Sequence, residues 1–249
     1  MANASELTFG NRLEKARQGV QIVKGDPGYK PDNDTIKIDN LTTFLDSVEK
    51  ANDTVTAKRA ALFDARAARR DAYFSKMTGL LVRAAMARDH VGGLPGGKST
   101  SAYRRFQKLS QKVSNYHAPA KPLGGETGGG STTQQKRISR SEVSYGSLAQ
   151  MARDLVTYAN DTTGYAPVNA NTTAAALGTY AGALEDNNED VATKLTEAQN
   201  AEADRYELYF TKDKTNPGLV ERMRLMKSYV AGEFGRNSEL YTQLVALKM

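Results

Sequence analysis

Between Leu41 and Tyr73 a stripe of positions recurs at alternating spacings of four and three. It reads Leu41, Leu45, Val48, Asn52, Val55, Arg59, Leu62, Arg66, Arg69, Tyr73. The same spacing returns as Leu177, Ala181, Leu184, Asn188, Val191, Leu195, Ala198, Glu202, Arg205, Tyr209. A stripe held this long, without Pro or Gly in its first occurrence, predicts one long amphipathic helix each time. At a rise of ~1.5 Å per residue each would reach roughly 50 Å. A shorter helix is predicted before each, over 9–24 and 145–160, and Gly-Tyr-x-Pro-x-Asn separates the two. A third pair is predicted over 79–91 and 218–232, and a short fourth over 100–114 and 238–247. No segment alternates as a strand would. The expected fold class is all-α.

These paired elements reflect an internal duplication. Shifted by 136 residues, positions 5–74 align with 141–210 without a gap, with 21 identities in 70 positions, or 30%. A repeat of this length is a small unit, not a solenoid turn. The sequence therefore predicts two four-helix-bundle-like domains, a basic repeat at 1–116 and an acidic repeat at 141–249. Residues 117–140 run through Gly, Pro, Ser and Thr with almost no apolar content, which predicts a flexible linker.

A resemblance rests on particular residues of the second repeat: Tyr165-x-Pro167-x-Asn169, Asn188-x-x-Val191, Ala201-x-x-x-Arg205-x-x-x-Tyr209-Phe210, Gly218-Leu219-Val220, Lys227-x-Tyr229-Val230 and Phe234-Gly235-x-x-Ser238-x-x-Tyr241. On these it resembles a group of small helical proteins common in Bacteroidetes genomes. In the first repeat Arg88-Asp89-His90-Val91 stands where the second has Lys227-x-Tyr229-Val230. The resemblance implies a bacterial protein with a helical fold, and no chemistry.

Composition narrows the function classes. Hydrophobic residues are 39% and the mean hydropathy is −0.56. There is no Cys, which excludes disulfides, thiol catalysis and thiolate metal sites. With only two His, a multi-histidine zinc centre is not expected, and no metal or cofactor is assigned. No run approaches the ~18 apolar residues of a membrane span, and the first residues lack the basic and apolar regions of a secretory signal. The expected compartment is the cytoplasm.

Charge is the feature that points to partners. Residues 1–116 carry 20 basic and 12 acidic side chains, whereas residues 141–249 carry 10 and 15. Two copies of one pattern have diverged to opposite signs. Arg59, Arg66, Arg70, Arg104 and Arg105 form the candidate basic interaction face. Arg59, Arg66 and Arg70 are replaced in the second repeat by Leu195, Glu202 and Tyr206, so they are assigned to a partner. Glu185, Asp186, Glu189 and Asp190 form the candidate acidic face, where like charges at i,i+4 call for neutralisation. The first expectation is a non-enzymatic structural or scaffolding protein. The basic repeat would dock on the acidic repeat, within one chain or between chains as an oligomer or filament, or these faces would dock another protein. The alternative is nucleic-acid binding by the basic repeat.

Other motifs read as structural. Gly92-Gly-Leu-Pro-Gly-Gly97-Lys98-Ser99 matches the phosphate-loop pattern. That pattern needs a strand before it, and Leu80–His90 reads as helix. Gly97, Lys98 and Ser99 are therefore at most a weak anion loop. Asn52 and Asn188 recur in the stripe, where a buried Asn fixes register. Arg69 and Arg205 also recur, and Glu202 three residues before Arg205 predicts an intrahelical salt bridge. His90 and His117 have no catalytic partner at a recognisable spacing.

Overall fold

A computed structural model of the chain describes residues 4–117 and 144–248. The described residues are all-helical, with no strand among them. In chain order the helices are α1 (Ala4–Lys24), α2 (Ile38–Phe74), α3 (Leu80–Gly92), α4 (Ser101–His117), α5 (Tyr145–Asp161), α6 (Ala174–Phe210), α7 (Leu219–Glu233) and α8 (Glu239–Ala246). Short 3-10 turns lie at Asp34–Ile36 and Gly97–Ser99. Every predicted helix is present, and α1 is the one that starts well before its predicted bound. His117, expected in the linker, closes α4. The rest of the expected linker, 118–140, lies outside the described residues.

Local chemistry explains the helix ends. The turn between the first two helices of each repeat is pinned by a tyrosine. The Tyr29 hydroxyl donates to the Ile36 carbonyl (2.8 Å), and that of Tyr165 donates to the Thr172 carbonyl (2.7 Å). Asn33 Oδ1 accepts from the Thr35 N–H (3.0 Å), and Asn169 Oδ1 from the Asn171 N–H (2.9 Å), a pair of Asx turns. These contacts account for Tyr and Asn in the recurring Gly-Tyr-x-Pro-x-Asn. Ser144 and Ser238 cap α5 and α8, each side-chain oxygen accepting a backbone N–H at 3.2 Å. Gly79 and Gly218 stand before α3 and α7, where the chain crosses itself closely. A Cβ would lie 2.5 Å from the Ser75 carbonyl at Gly79 and 2.9 Å from the Thr211 nitrogen at Gly218. Only glycine fits there without backbone movement.

The chain divides into two compact units, and the division differs from the expected boundary. One unit takes Met1–Leu62 with Lys194–Met249, and the other takes Phe63–Thr193. Neither unit coincides with the repeat at 1–116 or with that at 141–249. Each combines the opening half of one repeat with the closing half of the other. In the first unit α1 and the start of α2 meet the end of α6, α7 and α8. Its core sets Leu13, Val20, Leu41 and Val48 against Tyr209, Met223, Met226 and Val230. In the second unit α5 and the start of α6 meet the end of α2, α3 and α4. Its core sets Leu148, Leu155, Leu177 and Leu184 against Tyr73, Leu80, Phe106 and Leu109. The reason lies in helix length. At 37 residues, α2 and α6 are far longer than the 13-residue α3 and 15-residue α7. One end of each long helix packs in one unit and the other end in the other.

Candidate interaction site

The halves of each unit are keyed by a set of polar and aromatic contacts that occurs twice. In the first unit Asn52 Nδ2 donates to the Tyr209 hydroxyl (3.0 Å), which donates to the Phe9 carbonyl (2.9 Å). In the second, Asn188 Nδ2 donates to the Tyr73 hydroxyl (2.9 Å), which donates to the Tyr145 carbonyl (3.0 Å). Both tyrosines are fully buried. Each phenol thus uses its donor and an acceptor site, as a buried hydroxyl must. The Oδ1 atoms of Asn52 and Asn188 are buried without a hydrogen-bond partner among the described atoms. The asparagines therefore stabilise through one good bond at the cost of one unpaired acceptor.

Arg69 and Arg205 each lie over an aromatic ring. The Arg69 guanidinium lies 3.8 Å from the centre of the Tyr145 ring, and that of Arg205 lies 4.1 Å from the centre of Phe9. These are cation–π contacts. The carboxylate expected to pair with Arg205, that of Glu202, accepts instead from Arg59 Nε at 2.6 Å.

Two further arginines were not picked out from the sequence. Arg222 is buried, its Nε donating to the Pro217 carbonyl, Nη1 to the Thr35 carbonyl and Nη2 to Asn216 Oδ1, each at 2.8 Å. Its guanidinium lies 4.0 Å from the centre of Phe44. Arg83 repeats this: Nε donates to the Thr78 carbonyl (2.8 Å), Nη1 donates to the Asn171 carbonyl, and the group lies 4.2 Å from the centre of Tyr180. Burial pushes both guanidinium groups below their ordinary range. The signal that finds them is a shift of 139 residues, not 136. It aligns Gly79-Leu80 with Gly218-Leu219 and brings Arg83 onto Arg222. His90 falls on Tyr229 at the same shift. His90 Nε2 accepts from the Ala166 N–H, and the Tyr229 hydroxyl from the Lys30 N–H, both at 3.3 Å. His90 therefore does the work of a tyrosine in the fold.

The candidate charged faces are partly consumed inside the chain. Arg59 was assigned to a partner. It binds Glu202 of the acidic repeat in the same chain, and its neighbour Lys58 binds Glu197 at 2.9 Å, both within the first unit. Glu185 was likewise placed on the acidic face. It pairs with Arg153, and the same pair recurs in the first repeat as Arg17 with Glu49 at 2.5 Å. Arg66, Arg70, Arg104 and Arg105 are exposed in the second unit. Arg70 approaches Asp71 at 3.6 Å, and the Arg105 guanidinium lies 5.6 Å from the centre of the Tyr158 ring. Asp186, Glu189 and Asp190 are exposed without an ion pair among the described residues. Counted by unit, the charge contrast of the repeats dissolves. The first unit has 18 basic and 17 acidic side chains, and the second 16 and 11.

The loop at Gly92–Ser99 connects α3 to α4, so a helix stands where a phosphate loop has its strand. Gly96 and Gly97 take positive φ of 86° and 53° to make the turn, and Lys98 and Ser99 are exposed. No group of three His, Asp or Glu side chains gathers as a metal site among the described residues. None of the described helices is long and apolar enough to cross a membrane. Neither a known protein family, nor a curated protein, nor a solved structure matches the chain.

The buried tyrosines make a pH prediction. Burial pushes the hydroxyls of Tyr29, Tyr73, Tyr165 and Tyr180 up, those of Tyr73 and Tyr165 to about 12. A phenol in the unfolded chain releases its proton near pH ~10. The folded state then holds more protons, so stability falls as pH rises past that point. Thermal melts from pH 8 to 11.5 are expected to show a midpoint that declines once pH exceeds about 10. A flat profile would contradict the buried environment of these hydroxyls.

Proposed function

We propose that the protein is a non-enzymatic scaffold made by tandem duplication of a four-helix unit, whose repeats pair through complementary charged helical faces. The observation that supports this is where the divergent charges fall. Arg59 and Glu202, which replace Leu195 and Arg66 of the other repeat, meet each other at 2.6 Å. Opposite divergence of two copies is the pattern of a specific, self-complementary pairing. The charges left over, Arg66, Arg70, Arg104 and Arg105 on one side and Asp186, Glu189 and Asp190 on the other, dock a second copy or another protein.

The test is solution mass by light scattering at low salt and at ~0.5 M salt, where the screening length falls to roughly 4 Å. The expected result is particles above the 27.1 kDa chain mass that shrink in salt, and that are lost in an Arg104→Glu, Arg105→Glu variant. A monomer at both salts would overturn the self-docking part of the reading.

Nucleic-acid binding is the second reading. The specific support is that Arg66, Arg104 and Arg105 are exposed, with the Arg105 guanidinium 5.6 Å from a tyrosine ring centre where a base could stack. Fluorescence anisotropy with a labelled single-stranded oligonucleotide tests it. Binding that weakens steeply with salt and disappears in the same double variant would favour it.

A further inference from the structure

Each repeat has, in the other repeat, the partner that completes it. We propose that the α2–α6 surface is a heterotypic docking surface, which accepts the opposite repeat and rejects a second copy of the first repeat. This rests on the reading that the repeats pair through charged faces.

The keying contacts cannot discriminate. Asn52 on Tyr209 and Asn188 on Tyr73 have the same chemistry, and so do Arg222 on Thr35 and Arg83 on Asn171. They would form equally well between any two repeats of this kind. Among the charged residues at the junction, those that differ are the ones that can select. In the observed pairing Arg59 meets Glu202 at 2.6 Å and Lys58 meets Glu197 at 2.9 Å. In a pair of first repeats, Arg66 takes the place of Glu202 and Ala61 that of Glu197. Arg59 would then face Arg66, and twice over by symmetry. In a pair of second repeats, Leu195 would face Glu202 while Lys194 and Glu197 remain available to each other. At the charged positions the surface therefore penalises one homotypic pairing by direct repulsion and merely fails to reward the other, and the core adds a match of size, with Gly19 against Met223 in one unit and Leu155 sharing a core with Ala84 in the other. Repulsion of the wrong partner, added to attraction of the right one, is how specific pairs are encoded. The side chains of Arg59 and Glu202 remain 34% and 40% exposed, so each pair contributes modestly and the effect is cumulative.

The experiment keeps the whole chain. A protease site is placed within 118–143 of full-length protein, the purified chain is cut, and the products are sized without denaturant. The two pieces are expected to stay together one to one, and their separation into two monomers would overturn the proposal. The cut sample is then dissociated in urea, diluted to low salt and read by native mass spectrometry. Dimers of the first repeat are expected at least about tenfold below their statistical share. A statistical mixture would overturn the proposal. Arg59→Glu supplies the second arm. The new carboxylate faces Glu202 in the mixed pair and Arg66 in a pair of first repeats, so first-repeat dimers should rise by about tenfold or more. If their share stays at the level of the unaltered protein, the charge code is wrong. None of these outcomes depends on the mass of the intact chain, so a failure here is distinguishable from a failure of the scaffold reading.

Discussion

Tyr73→Ala is expected to lower stability by about 4 kcal/mol, the cost of emptying a large aromatic site in a core that cannot close around it. Tyr73 is fully buried and lies in edge contact with Tyr145, ring centres 5.1 Å apart. Its hydroxyl also accepts from Asn188 and donates to the Tyr145 carbonyl, and both bonds are lost when the ring is removed. For a chain of this size the loss corresponds to a melting point roughly 8–16 °C lower. Tyr73→Phe keeps the ring and removes only the hydroxyl, and should cost about 1–2 kcal/mol. Because the same arrangement surrounds Tyr209, the matched Tyr209 variants should fall by similar amounts. Chemical denaturation read by far-ultraviolet circular dichroism checks all four. An alanine variant no worse than the phenylalanine variant would mean that Tyr73 is not packed as described.

The second large effect is Arg222→Ala, for which about 3 kcal/mol is expected. Three hydrogen bonds of 2.8 Å end on this guanidinium, and their acceptors include the buried-side carbonyls of Thr35 and Pro217. Truncation also uncovers the Phe44 ring. Arg222→Lys is informative because a lysine retains the charge but not the planar fork that reaches three acceptors. It should recover less than half of the loss. Full recovery by lysine would mean that charge alone, not directed hydrogen bonding, holds α7 to the 3-10 turn at Asp34–Ile36. Arg83→Ala is the internal comparison, since Arg83 makes two of the same three contacts.

Much of the helical framework was legible in the amino-acid sequence. The four-three spacing from Leu41 and from Leu177 marks the two long helices, and the residues it names as apolar are buried, including Leu45, Val48, Val55, Leu184 and Val191, except Leu195, which is exposed. Asn52 and Asn188 were legible as seam residues because they break an apolar stripe at the same place in both copies. What the spacing does not carry is partner choice. Periodicity says that Leu41 and Leu45 face a core, but not whether Tyr209 or Tyr73 closes it. Two similar repeats make both answers equally compatible with the pattern, and only long-range packing separates them. The same gap explains the misplacement of Arg59 and Glu185. Each sits beside a like charge in sequence, Lys58 and Asp186, and each is neutralised by a residue more than 30 positions away, Glu202 and Arg153 respectively. Arg83 and Arg222 escaped notice because the repeat register shifts by three residues after Phe74.

The central claim is that each compact unit is built from halves of both repeats, and nuclear Overhauser contacts between aromatic rings test it most directly. The Phe9 and Tyr209 ring centres are 4.7 Å apart, and those of Tyr73 and Tyr145 are 5.1 Å apart. With selectively labelled tyrosine and phenylalanine, cross-peaks are expected between Phe9 and Tyr209 and between Tyr73 and Tyr145. If instead Phe9 shows contacts to Tyr73, and Tyr145 to Tyr209, each repeat closes on itself and the account is wrong.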